Sequence, residues 1–460
     1  MTAPPATGTR GAGPPLLGPE RPVTWPRRAR HRLANGLEVV LAESRVVPKV
    51  AFELVIRSGD AAVADERPGL AQMTAAVVRA GTSSRSIHQI EEELRRIGAE
   101  LGTSAGADSS AISISGLSEF AEQQLALLAD LACNASFPAA EFERQRRQSL
   151  EELRIARTTP GFLAGERLRR VLFGEHPYAI ASPTEEQVRE YQRDHLESYY
   201  HAHYRPANAL LLAVGDLDAQ PMLERIEKIF GAWPSAEVVA RSFPSPPETR
   251  GRRVHLVHLA DTVQTQILVG NRTITRSHPE WLRLALANAI LGGAFHSRLV
   301  LNIREQKGYT YSPRSVLHAL RQHGYFDVHA AVRKEVVAAT LAEIFYEVER
   351  MRALPVADAE LEETANYLCG TFSLGLATQA GMLGQLATVY LFGLSEDYLE
   401  TYRQQVREVT VADVLAAARA WFDSPNMPIV LVGDRSQIRE QAALYGEVTV
   451  YDNQGKVIGG

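Results

Sequence analysis

The chain has 460 residues, 45% of them hydrophobic, and a formal net charge of -5 at pH 7. That length exceeds one ordinary core and predicts two to four domains of a globular protein. The mildly acidic balance excludes a global basic field for nucleic acid, and no apolar run is long enough for a transmembrane helix.

Residues 1–28 are rich in proline and glycine and lack the continuous apolar core of a secretory signal, so they predict a disordered tail. The compartment implied is that of synthesis, the cytoplasm, with periplasm or mitochondrion as alternatives. Strands are expected at 36–42 (GLEVVLA) and 50–56 (VAFELVI), then helices over 69–79 and 87–97. The alternation in SSAISISGL predicts a strand with one wet face. Helices follow at 120–132, at 139–157, from about 161, and over 187–200, before a buried strand at 208–214. Strands and helices in this mixed order predict the α+β class.

The second half repeats that plan. NALLLAVGDL at 208–217 is echoed by MPIVLVGDRS at 427–436, with Asp216 and Asp434 218 positions apart. The opening strands are echoed at 254–260 and 264–269, and the helix ending at Gly81 by one ending at Gly292-Gly293. Three elements repeated in the same order predict a duplicated domain. The expected organisation is a tail over 1–28, a first domain over 29–235, a linker over 236–252 marked by Pro244, Pro246 and Pro247, a second domain over 253–447, and a tail over 448–460.

Residues 295–332 concentrate polar chemistry in a helix-to-hairpin corner. Leu299 and Ile303 recur at helical spacing, Gly308 is a helix stop, and Tyr309 and Tyr311 stand in β-prone company before a turn at 321–324 and a returning strand at 325–332. Arg304 and Tyr311 are thereby brought near one another. A guanidinium and a phenol are two donors for a carbonyl or a developing oxyanion; dipole complementation and packing explain the same residues without chemistry.

Metal chemistry has few candidates. Cys133 and Cys369 are far apart in apolar helical settings and read as buried free thiols. No histidine pair occurs at i and i+4 on a helix. His201 and His203 are two apart in an expected loop, His176 precedes a proline and reads as a turn residue, and His255 and His258 fall on opposite faces of a strand.

The segment GLAQMTAAVVRAGT at 69–82 resembles the first helix of the pitrilysin-like metallopeptidases, the inverted-zincin family, which carries H-x-x-E-H in that frame. The GLEVVL opening, HPY at 176–178, YRPANALLLAVGD and SRL...REQKGYTYS match the family in order. The resemblance places Gln72 where the family has its first histidine, Ala75 at the glutamate base and Ala76 at the second histidine; the third ligand falls on Glu152. A lone carboxylate does not hold zinc, so no metal and no cofactor are expected in this chain.

In active members the second domain supplies an arginine and a tyrosine through R-E-x-x-G-x-x-Y, matched here by Arg304, Glu305, Gly308 and Tyr311. One half-site lost and the other kept is similar to the non-zinc subunit of heterodimeric members. The resemblance therefore implies a zinc-bearing pitrilysin-like partner, with Arg304 and Tyr311 acting at that partner's zinc, and an unfolded peptide as substrate. The peptide is expected to add a strand at the edge containing Gly102, Thr103 and Ser104. The rival expectation is a non-enzymatic scaffold or peptide-binding protein of the same fold.

Overall fold

Alternating strands and amphipathic helices assemble into two sheets, each backed by its own helices, in a computed structural model that describes residues 24–63, 66–238 and 241–459. The first half runs β1 (Arg28–Arg32), β2 (Glu38–Glu43), β3 (Lys49–Ile56), α1 (Leu70–Val78), α2 (Ile87–Ile97), β4 (Glu100–Ala105) and β5 (Ser110–Leu117). It continues through α3 (Ala121–Asn134), α4 (Ala139–Ala156), α5 (Pro160–Phe173), α6 (Glu185–Glu190), α7 (Arg193–His203), β6 (Ala209–Gly215) and α8 (Ala219–Phe230). The second half opens with β7 (Arg253–His258), β8 (Gln264–Thr273), α9 (Trp281–Asn288), β9 (Arg314–His318) and β10 (Gly324–Arg333). There follow α10 (Val337–Ala353), α11 (Asp358–Gly375), α12 (Gln379–Phe392), α13 (Tyr398–Glu408), α14 (Val411–Trp421), β11 (Ile429–Gly433), α15 (Arg435–Ala443), β12 (Glu447–Tyr451) and β13 (Val457–Gly459).

The duplication is visible in strand order. The first sheet is β1-β2-β6-β3-β5-β4 and the second is β13-β12-β7-β11-β8-β10-β9. In each, the strand carrying the Val-Gly-Asp turn, β6 or β11, inserts between the opening pair, parallel to the first of them and antiparallel to the second. Both inserted strands are buried along their whole length. Their continuous apolar runs follow from having both faces covered.

What covers the second face is the other half of the molecule. Leu163, Ala164, Leu168 and Leu172 of α5 pack with Leu268, Val430 and Val432 of the second sheet. Reciprocally, Met382, Leu383, Leu386 and Val389 of α12 pack with Val40, Val55, Leu210 and Leu212 of the first. Each half thus supplies the helix that closes its neighbour's sheet.

This exchange corrects both expected tails where they are described. Trp25 is buried, its indole N–H donates 3.1 Å to the Leu399 carbonyl oxygen, and Arg28 begins β1. The remainder of that tail, residues 1–23, lies outside the described residues. Residues 447–459 form β12 and β13, with Arg167 stacked 3.7 Å over the Tyr451 ring and donating to the Gly455 carbonyl oxygen. Local sequence shows no partner for these strands, because the partners lie in distant parts of the chain.

Three further elements differ from expectation. The helix foreseen over 187–200 is broken at Tyr191, whose extended backbone and buried hydroxyl, donating to the Pro68 carbonyl oxygen, separate α6 from α7. The helices near Gly292 and Arg304 contain π-helical turns at Ala289–Gly293 and Val300–Gln306. Tyr309 and Tyr311 precede β9 instead of joining it; Pro313, lacking an N–H, delays the strand to Arg314. Among the described residues, no helix is long and apolar enough to cross a membrane.

Candidate functional site

The segment that resembles the motif helix forms α1, with no histidine or carboxylate on it. The amide N–H groups at the start of α1 are met from a distance, since Gly69 has no side chain to cap them. Asp60 Oδ1 accepts from the backbone N–H of Ala71 at 3.1 Å and of Gln72 at 3.4 Å. Burial pushes the Asp60 carboxyl up to about 6, against the pull of those two amides.

A cleft of about 330 Å3 runs between α1, α4 and α5, and Gln72, Ala76 and Glu152 all line it. Gln72 and Glu152 are exposed and Ala75 lies buried beneath. Glu152 accepts from Gln148 Nε2 at 2.8 Å, which satisfies it as a surface carboxylate. The structure therefore brings together the four positions singled out in the sequence on adjoining helices. Their chemistry does not fit zinc. A catalytic zinc takes three protein ligands of imidazole or carboxylate type, and here one carboxylate is joined by an amide and two methyl groups.

The second candidate group stands elsewhere. The residues lining the α1 cleft run from Gly69 to Tyr191, so neither Arg304 nor Tyr311 belongs to it. Arg304 lies in the last turn of the π-helical segment, beyond which Gly308 takes a left-handed conformation (φ +63°) and its N–H donates 3.1 Å to the Arg304 carbonyl oxygen. The Arg304 guanidinium is half-buried, contacts Glu305 at 3.1 Å and lies 5.2 Å from the Phe295 ring. Tyr311 is 86% exposed. Both donors are presented on the surface of the second half.

Gly102, Thr103 and Ser104 lie on β4, the terminal strand of the first sheet, paired with Ser113, Ile112 and Ala111 of β5 on one side only. The other side is a free edge among the described strands. The loop that follows β4 is tied to the second half, because Asp108 accepts from the Arg321 N–H at 2.9 Å and from the Tyr178 hydroxyl. Between the halves lies a cavity of about 390 Å3 lined by Asp60, Gln72, Gly106, Arg169, His318 and Tyr325 among others.

The histidines considered from sequence resolve into structural roles. His201 and His203 end α7 instead of lying in a loop. His176 shapes a turn, accepting from the Tyr178 N–H at 3.1 Å. His255 bonds the Tyr451 hydroxyl at 3.0 Å and is pushed down to about 4, chiefly by burial. The group that sequence reading passed over is His318, Asp327 and His329, whose signal was an Asp-x-His on one hairpin strand with a histidine on the other.

Comparison with known proteins places these features in a context. Residues 38–181 match the family described as insulinase (peptidase family M16), and residues 190–368 match the peptidase M16 inactive domain. An uncharacterised zinc protease of Rickettsia bellii is 25% identical over 407 residues, covering 87% of this chain and 96% of that protein. One from Bacillus subtilis is 24% identical over 395 residues, covering 85% and 95%. Among solved structures, a peptidase M16 inactive domain from Pseudomonas fluorescens superimposes with a TM-score of 0.83 at 27% identity, covering 88% of this chain and 98% of that one. A protease from Helicobacter pylori shares the fold with a TM-score of 0.81 at 20% identity, covering 88% and 99%.

Proposed function

Because this chain belongs to the M16, pitrilysin-like peptidase family and its first helix lacks the metal donors of that family's signature, we propose that it is the catalytically incomplete subunit of a heterodimeric zinc metallopeptidase. The observation that carries this reading is the separation of the two half-sites. Gln72 and Ala76 line the α1 cleft, with Ala75 buried beneath, where donors are needed, while the half-buried Arg304 and the exposed Tyr311 stand in a different part of the molecule.

In this account a zinc-bearing pitrilysin-like partner holds the metal, and this chain encloses half of the chamber. Arg304 and Tyr311 act on the substrate carbonyl at the partner's site, supplying a fixed positive charge and a neutral donor that stabilise negative charge as it develops. An unfolded peptide adds as a strand to the β4 edge at Gly102, Thr103 and Ser104, so main-chain hydrogen bonds hold it with little sequence preference. The cytoplasm is the compartment we assign.

Zinc content and cleavage of a quenched peptide library test the reading, for the chain alone and mixed with an M16 protein from the same source that retains H-x-x-E-H. Cleavage confined to the mixture, with zinc on the partner, supports it. A stable mixture without cleavage replaces it with a scaffold; zinc-dependent cleavage by the chain alone refutes it.

A further inference from the structure

We propose that the β9–β10 hairpin binds one divalent first-row transition-metal ion through His318, Asp327 and His329, a site independent of the α1 cleft. Antiparallel register sets the group up. Tyr325 pairs with His318, Asp327 with Val316 and His329 with Arg314, so residues 325, 327 and 329 share a face with 318. His318 stacks on Tyr325 with ring centroids 4.0 Å apart and planes 4° from parallel, which aims its Nε2 along the strand at the Asp327 carboxylate.

The donor atoms converge. His318 Nε2 is 3.0 Å from Asp327 Oδ2, His329 Nε2 is 2.6 Å from Asp327 Oδ1, and the three ligand atoms all lie within 4.8 Å of one another. Ligands of a tetrahedral zinc at about 2.0–2.1 Å are roughly 3.3 Å apart, so this spacing needs only small side-chain rotations to accept an ion. Among the described residues it is the one cluster of three such side chains.

Two features distinguish it from an ordinary buried ion pair. The Asp327 side chain is 4% exposed and, among the described residues, its ion-pair partners are two imidazoles and no arginine or lysine. The histidines are 32% and 19% exposed, which leaves a route to the donors from solvent. On the far side of β10, Asp327 faces Gly270 of β8, where a Cβ would lie 2.3 Å from the Phe326 carbonyl oxygen and 3.1 Å from Asp327 Cβ. The carboxylate is therefore not crowded by a neighbouring side chain across β8.

Two imidazoles and one carboxylate suit Zn2+, Co2+ or Ni2+ better than Mg2+ or Ca2+, and three protein ligands leave a coordination position open. His318 and Tyr325 also line the cavity between the halves, so that position is at the cavity's edge. An ion there ties the edge strand β9 to β10.

The test uses the full chain, stripped with chelator and titrated with Zn2+ while metal content and Tm are followed. The expected result is saturable binding of one ion per chain, a rise in Tm, and visible Co2+ absorption of a nitrogen- and oxygen-ligated site. His318→Ala with His329→Ala, and separately the near-isosteric Asp327→Asn, lower affinity roughly tenfold or more. Asp327→Asn keeps its hydrogen-bonding shape, so it reads the site even where the double variant folds poorly. His201→Ala, on the exposed end of α7, leaves binding unchanged. Absence of saturable binding, or binding that survives Asp327→Asn, overturns the proposal.

Discussion

Gln72 on α1 and Glu152 on α4 line the same cleft, together with Ala76 one helical turn beyond Gln72. The three positions share one cleft with a single carboxylate among them, and restoring imidazoles there tests whether the cleft can hold a metal. Gln72→His with Ala76→His puts two imidazoles on one face at i and i+4, with Glu152 as third ligand. In a chain already carrying His318→Ala and His329→Ala, this variant is expected to gain one tightly held zinc, and to lose it on adding Glu152→Gln. No gain in zinc shows that the cleft no longer has the family's spacing.

Asp60 predicts a specific pH dependence of stability. Its carboxyl is raised to about 6 by burial, so the native chain holds this proton more firmly than the unfolded chain does. That contribution is full only below the carboxyl's ordinary value of 3.8 and is lost as pH rises through 6. Asp60→Asn still offers an oxygen to the Ala71 and Gln72 amides. It is expected to gain on the order of 3 kcal/mol over wild type about one pH unit above the folded value, and close to nothing below the ordinary value of 3.8, as measured by urea unfolding. A loss at pH 7 contradicts this assignment.

The reciprocal seam predicts one unfolding unit. Leu386 of α12 is fully buried against the first sheet although it belongs to the second half. Leu386→Ala is expected to cost about 2–5 kcal/mol and to lower the melting of both halves together in calorimetry. Two separated transitions indicate that the halves are held by less than this packing.

Peptide capture at β4 is tested with proline. Successive N–H groups of a strand point to opposite sides, so of Thr103 and Ser104 one donates toward β5 and the other toward the free edge. One of Thr103→Pro and Ser104→Pro should weaken binding of an unfolded peptide with little change in Tm, and the other should lower Tm. Equal peptide affinity in both variants removes the edge from the account.

Much of the fold is legible in the chain. The alternation of SSAISISGL becomes β5, with its inward residues buried, and α1, α2 and α4 fall within two residues of their expected ends. The repeat at Asp216 and Asp434 marks the two inserted strands. What local pattern does not carry is pairing between distant segments, so nearly all of β12 and the whole of β13 read as a tail. Nor does it separate α from π turns, since their apolar spacing is nearly alike over one or two turns. In the site regions, the motif singles out Gln72, Ala76 and Glu152, which the fold places along one cleft. The His318 cluster was not legible, because its ligands come from two strands and helical spacing does not reveal them.

The most direct test of the central claim is the turnover of the reconstituted complex carrying Arg304→Ala or Tyr311→Phe in this chain. Assembly and the partner's zinc content are measured alongside. The account predicts intact assembly, unchanged zinc, and a kcat reduced on the order of a hundredfold, the scale of losing one oxyanion donor. Unchanged turnover in both variants contradicts it.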